Sequence, residues 1–276
     1  MEVTTVRKTF AQILKDGNVD IKLEYSKLYT LFYDKDRKDG SSFADIVSNN
    51  ITSIPFCGTC LSLDEFDGLH GFRFERQPQS FDIDYLILFC EYVYNFLLHI
   101  EDRFFFSSFN KTDFISHIYK VIEAIGYVQN IEDGFTIFVP KNEVAISVAQ
   151  SPFIPDNLSY KVISYNHHSM KGDIHRKRQF LLELADLLEP QRIVLSGTYS
   201  KFTSDLFYAF NTFNIRHNNI DPAGTKYKKK IAELSEVEIE HWYDETYQMC
   251  LLAFMKLEHI NRKKEFDLLK SEIEEK

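Results

Sequence analysis

The stretch Asn211-Thr-Phe-Asn-Ile-Arg-His-Asn-Asn219 sets an arginine directly before a histidine, among asparagines, at the end of an apolar helical stripe. A guanidinium can hold a phosphate through two parallel hydrogen bonds, and an imidazole exchanges protons near neutral pH. Together they suit metal-independent RNA cleavage: Arg216 would grip the scissile phosphate and His217 would act as acid or base toward the ribose 2′-hydroxyl. Asn214 and Asn218 would orient the substrate or the imidazole. The same residues also suit a plain helix terminus. Asparagine tolerates the left-handed conformation that ends helices, and Arg and His complement the negative end of the helix dipole. Residue type and spacing leave both readings open.

The strongest local basic cluster lies upstream, where His167, His168 and His175 fall among Lys171, Arg176, Lys177 and Arg178. It could hold RNA phosphates beside the Arg216 loop, helped by Lys226 and by Lys228 to Lys230. A solvated helix start would look the same. As a metal site the cluster is poor, because adjacent histidines do not readily share one ion and no cysteine or carboxylate pattern completes a ligand set. Cys57-Gly-Thr-Cys60 is a lone CxxC; a zinc ribbon needs a second pair, and Cys90 and Cys250 stand singly in apolar helices. Glu65, Asp67, Asp82 and Asp84 fall in expected loops, and nothing in their spacing pairs them as acid and base. There is no GxxxxGK[ST] and no GxGxxG, which argues against a P-loop or a Rossmann site. No metal and no cofactor is expected.

These residues need a scaffold, and composition bounds it. The 276 residues include 41 aromatics but only 17 glycines and prolines, which favours a dense helical core over a turn-rich β fold. The formal charge of −9 argues against a DNA-coating role. No apolar leader follows Arg7 and Lys8, so the cysteines read as reduced thiols and the location as cytoplasmic. Tyr85 to Ile100 is too short to span a bilayer. It also carries Glu91, Asn95 and His99 on one helical face, which marks a buried helix with a partner for that polar stripe.

Helical periodicity dominates elsewhere. Short helices are expected over 5–16 and 22–34, the second with Leu23, Leu28, Leu31 and Phe32 on one side, and another over 43–51. Residues 34–42 read as a charged turn, and 54–76 as loop with a short strand or two. Residues 113–126 are amphipathic, with Thr112 or Asp113 as N-cap, and 134–139 read as a strand. Val144 to Val148 fit either a strand or a helix start. Asp173 caps a helix ending at Pro190. Phe202, Leu206, Phe210 and Phe213 mark a second helix, and Tyr243, Tyr247, Cys250, Phe254 and Leu257 a third. Phe266, Leu269 and Ile273 could carry that third helix into a partner.

Four segments together, Tyr165 to Arg178, Leu188-Glu-Pro190, Asn214-Ile-Arg-His-Asn-Asn219 and Trp242-Tyr-Asp-Glu-Thr-Tyr247, resemble bacterial abortive-infection and related phage-defence proteins with a HEPN-like helical domain. The resemblance covers about residues 165–260. It implies a helical pair that forms a homodimer through the C-terminal helices and joins two Arg/His loops in one cleft, where active members act as metal-independent endoribonucleases. Arg216 matches the family arginine. His217 departs from the pattern, since the family histidine follows after a spacer and here the next one is His241. The resemblance also implies RNA binding or dimerisation without catalysis, as in inactive members. The expected fold is mainly α: a mostly helical region over 1–108, a small α+β module over 109–160, and a HEPN-like helical bundle over 161–276. RNA and a second copy of the chain are the expected partners, and no membrane.

Overall fold

A computed structural model describes residues 19–35, 40–101 and 110–274. The helix expected over 5–16 lies outside the described residues, as do the central residues of the charged turn. The protein is mainly helical, and its described strands form one two-stranded sheet in mid-chain. The chain divides into two compact units. One holds the residues up to Gln129 together with Phe135–Phe138; the other holds Asn130–Gly134 and everything from Val139.

The first unit is built on aromatic packing. Helix α1 (Ile21–Tyr33) starts at Asp20, whose carboxylate accepts from the amides of Lys22 and Leu23 at 3.0 Å. Its buried side chains are Tyr25, Leu28 and Phe32, whereas Leu23 and Leu31, expected on the inner side, are exposed. Helix α2 (Phe43–Asn49) opens with a reciprocal Ser42–Asp45 capping box. Within the stretch expected to be loop and strand the chain forms helix α3 (Leu63–His70). Ser62 caps the Glu65 amide, the Glu65 carboxylate caps the Leu61 amide, and left-handed Gly71 ends the helix.

Helix α4 (Ile83–His99) runs through this core, with Phe89 ring to ring against Tyr25 at 5.1 Å and Phe74 at 5.0 Å. Helix α5 (Lys111–Ala124) is capped by Asn110, not by Thr112 or Asp113. Strands β1 (Tyr127–Glu132) and β2 (Phe135–Pro140) follow, joined by Asp133 and Gly134, both at positive φ. The polar stripe of α4 finds its partner in β2. The Asn95 side chain donates to the Thr136 carbonyl at 2.8 Å and accepts from the Thr136 amide at 2.9 Å, and the Glu91 carboxylate accepts from the Phe138 amide at 2.6 Å. Side chains thus satisfy backbone groups that a neighbouring strand would otherwise take.

In the second unit, the ambiguous segment 144–148 is helical, within α6 (Glu143–Ala149), and α7 (Asp156–Ser164) follows. Helix α8 (Ile174–Leu188) is capped by Asp173, as its sequence predicts, and stops at Leu188, two residues before Pro190, which lies in a 3-10 turn over Glu189–Gln191. Helix α9 (Arg192–Thr212) has non-helical backbone angles at Tyr199, just after Ser196-Gly197, a helix-weakening pair. The short α10 (Lys229–Ala232) precedes α11 (Glu236–Glu274), a helix of 39 residues on which α8 and α9 both pack. The stripe Tyr243, Tyr247, Cys250, Phe254 and Leu257 is buried along its whole length. From residue 261 onward every described residue of α11 is exposed. Among the described residues no helix is long and apolar enough to cross a membrane.

Candidate functional site

The Arg/His loop begins where α9 stops. Phe213 closes the last turn on the Ala209 carbonyl at 2.9 Å, and Asn214 turns the chain back at φ 60°. A left-handed residue with a side chain is strained unless that side chain is used locally. Here it is: the Asn214 side-chain oxygen accepts from the Asn219 amide at 3.1 Å, and the Asn219 oxygen accepts from the Asn214 amide at 3.1 Å. Asn219 is fully buried, and its side-chain nitrogen donates to the carbonyls of Asn211 at 3.1 Å and Lys226 at 2.9 Å. It holds the loop together, although its sequence gives no sign of this beyond one polar residue among several.

Arg216 points back to the end of α8. One terminal nitrogen of its guanidinium donates to the Glu189 carboxylate, the other to the Ala185 carbonyl at 2.9 Å. The group lies over the rings of Phe207 and Phe210, 5.6 and 5.5 Å from their centroids, and the side chain is only 16% exposed. Ala185 belongs to the last turn of α8, where its carbonyl already accepts from the Glu189 amide, so the cation adds a second donor at the negative end of the helix dipole. A phosphate would have to displace Glu189 to take the same fork. His217 is half-buried beside it and Asn218 is exposed.

The basic cluster is largely matched from within. Arg176 pairs with Glu132 and reaches the Ser169 hydroxyl at 3.3 Å. Lys177 is 4% exposed, and its ammonium donates at 2.7 Å to both Glu240 and Asp244. Glu240 also accepts from the Gly172 amide at 2.7 Å, and Asp244 from the Tyr165 hydroxyl at 3.0 Å. Burial pushes the Glu240 carboxyl up, but Lys177 and the Gly172 N–H outweigh it and hold the group below the usual range. Arg178 donates its Nε proton to the Asn214 carbonyl. The rings of His167 and His168 lie 4.1 Å apart, with His167 Nδ1 2.8 Å from the Ser169 hydroxyl. His175, Lys171 and Lys228 are exposed.

The candidate residues therefore separate. His175, Arg178 and Asn214 line one cavity of about 560 Å³, with Asp173, Ile239 and Tyr243 among its other walls. Burial raises the Tyr243 hydroxyl, while Arg178 and Asn214 pull it partly back. Arg176 lines another cavity of about 360 Å³, where it faces Glu132 and where Lys161 is bound to Glu183 at 2.8 Å. Neither lining includes Arg216 or His217 among the described residues. The thiols offer no reactive group. Cys57, Cys60, Cys90 and Cys250 are buried and unbridged, and burial together with the neighbouring Cys60 pushes the Cys57 thiol up to about 11.

Comparison with protein-family models, with curated proteins and with solved structures returns no match for this chain.

Proposed function

We propose that the chain is a non-catalytic, self-associating helical interaction protein of HEPN-like type, acting in prokaryotic antiviral defence, with the Arg/His loop as a structural terminus. One observation carries the choice between binding and catalysis. The guanidinium of Arg216, the residue that would grip the scissile phosphate, is engaged by Glu189, the Ala185 carbonyl and two phenyl rings. A nucleic-acid or protein partner would meet the exposed His175, Lys171, Lys228 and Asn218 instead. The rival reading, metal-independent RNA cleavage by Arg216 and His217, has one feature in its favour. The Glu189 side chain is 43% exposed, so the pair sits where an incoming phosphate could compete for it.

Incubating purified protein with total cellular RNA and tRNA in EDTA separates the two. The expected result is no cleavage by wild type, Arg216→Ala or His217→Ala. Arg216→Ala should also lose about 2 kcal/mol of stability in urea, for a charge-assisted helix-end contact removed from a mostly buried site. Cleavage by wild type that disappears in both variants would establish the enzyme and reject the structural reading.

A further inference from the structure

The outer part of α11 carries a second seam, distinct from the buried stripe of that helix. Leu252, Met255, His259, Arg262, Phe266, Leu269 and Ile273 follow one another in alternating steps of three and four residues. That is a heptad repeat, and its apolar members are all exposed, from 37% at Met255 to 66% at Ile273. The flanks are sorted by charge. Glu258, Glu265 and Glu272 precede the first seam position of successive heptads, and Lys256, Lys263 and Lys270 follow the second.

This sorting selects both the occupant and its direction. In a parallel pair of such helices, each residue before the first seam position faces the one after the second seam position of the next heptad on the other chain. Glu258 then meets Lys263 of a second copy, and Glu265 meets Lys270, from both sides. An antiparallel pair would set glutamate against glutamate and lysine against lysine. Lys256 stands apart, since its ammonium lies 3.8 Å from the centroid of the Tyr199 ring of its own chain. In register, Phe266, Leu269 and Ile273 each face their own counterpart. A shift of one heptad would press Phe266 on His259 and Leu269 on Arg262. The polar layers fix register and lower affinity, and Arg262 keeps Glu258 of its own helix at 3.7 Å.

We propose that residues 252–273 form a parallel, in-register, two-stranded coiled coil with a second copy of this chain. The inference rests on the self-association reading above and adds its surface, direction and register. Sedimentation equilibrium of the full chain tests it. Wild type should show a reversible monomer–dimer equilibrium with a Kd on the order of 10 μM. Leu269→Glu, at an exposed position, should remain folded and monomeric. Glu258→Lys with Glu265→Lys should weaken the dimer by about thirtyfold, because each flanking pair turns from attractive to repulsive. Mixing that variant with the Lys263→Glu, Lys270→Glu variant should restore dimers. An unchanged Kd in the Glu258→Lys, Glu265→Lys variant, or a dimer that survives Leu269→Glu, overturns the parallel coil and leaves self-association standing. Wild type that stays monomeric at about 100 μM overturns both.

Discussion

The two units place carboxylates in opposite situations. In the first, Asp67 on α3 is half-buried and accepts the Tyr92 hydroxyl at 2.7 Å; burial raises its carboxyl to about 6, with Asp64 adding to the rise. In the second, Glu240 is part-buried too, but Lys177 and the Gly172 N–H hold it below the usual range. A carboxylate with a cation and an amide beside it keeps its charge on burial, and one with only a neutral hydroxyl resists ionising. In the first unit the buried end of Asn95 likewise meets backbone groups by hydrogen bonds, and the ion pairs, such as Arg76 with Asp34, lie at exposed or part-exposed side chains. In the second, the buried Lys177 and the mostly buried Arg216 are themselves held in ion pairs.

The contrast breaks most visibly at Lys177. Its replacement by alanine leaves Glu240 and Asp244 facing each other around an unfilled site, with a cost of about 3 kcal/mol, reduced from the fully buried case because both carboxylates keep some solvent. Lys177→Met should lose less, since it fills the space. Urea unfolding of the two variants beside wild type measures the difference; equal stability for all three would mean the network contributes nothing. In the first unit the matching change is Asn95→Leu, which deprives the Thr136 amide and carbonyl of their partner and should cost about 2 kcal/mol. A change under about 0.5 kcal/mol would show that water serves those groups equally well.

What was legible in the sequence follows the range of the interactions. Helices α8, α9 and α11 announce themselves through apolar period, and Asp173 and Pro190 mark the ends of α8, because each signal lies within a few residues. The polar stripe of α4 announces that it needs a partner, but β2 lies some forty residues downstream, and no local pattern says which backbone fills the role. Two further local signals stand in the sequence beside the expectations given above. Asp133-Gly134 is a hairpin turn, and Ser62 with Glu65 opens a helix in a stretch expected to be loop and strand. The candidate site was least legible. Arg216 and the run from Arg176 to Arg178 look like free positive charge in one dimension. Glu189 lies 27 residues before Arg216, and Glu240 and Asp244 lie 63 and 67 residues after Lys177. Spacing within a motif cannot show that its charge is already neutralised.

Asp67 gives the smallest effect and the sharpest sign. Its carboxyl stands at about 6 in the folded protein against about 3.9 in an unfolded chain. Between those values the folded state holds the extra proton, so the contribution of the neutral acid is fully present below about pH 4 and is lost as pH rises through 6. At neutral pH the ionised group is a burden on the fold. Asp67→Asn keeps an oxygen to accept the Tyr92 hydroxyl and removes the ionisation. The variant should gain about 1 kcal/mol at about pH 7.5, a figure reduced for the solvent that Asp67 retains, and should match wild type near pH 4. Urea midpoints at the two pH values decide it. A gain of the same size at both would trace the effect to packing; no gain at either would mean a cation or water stabilises the charge, and that Asp67 and Glu240 are held alike after all.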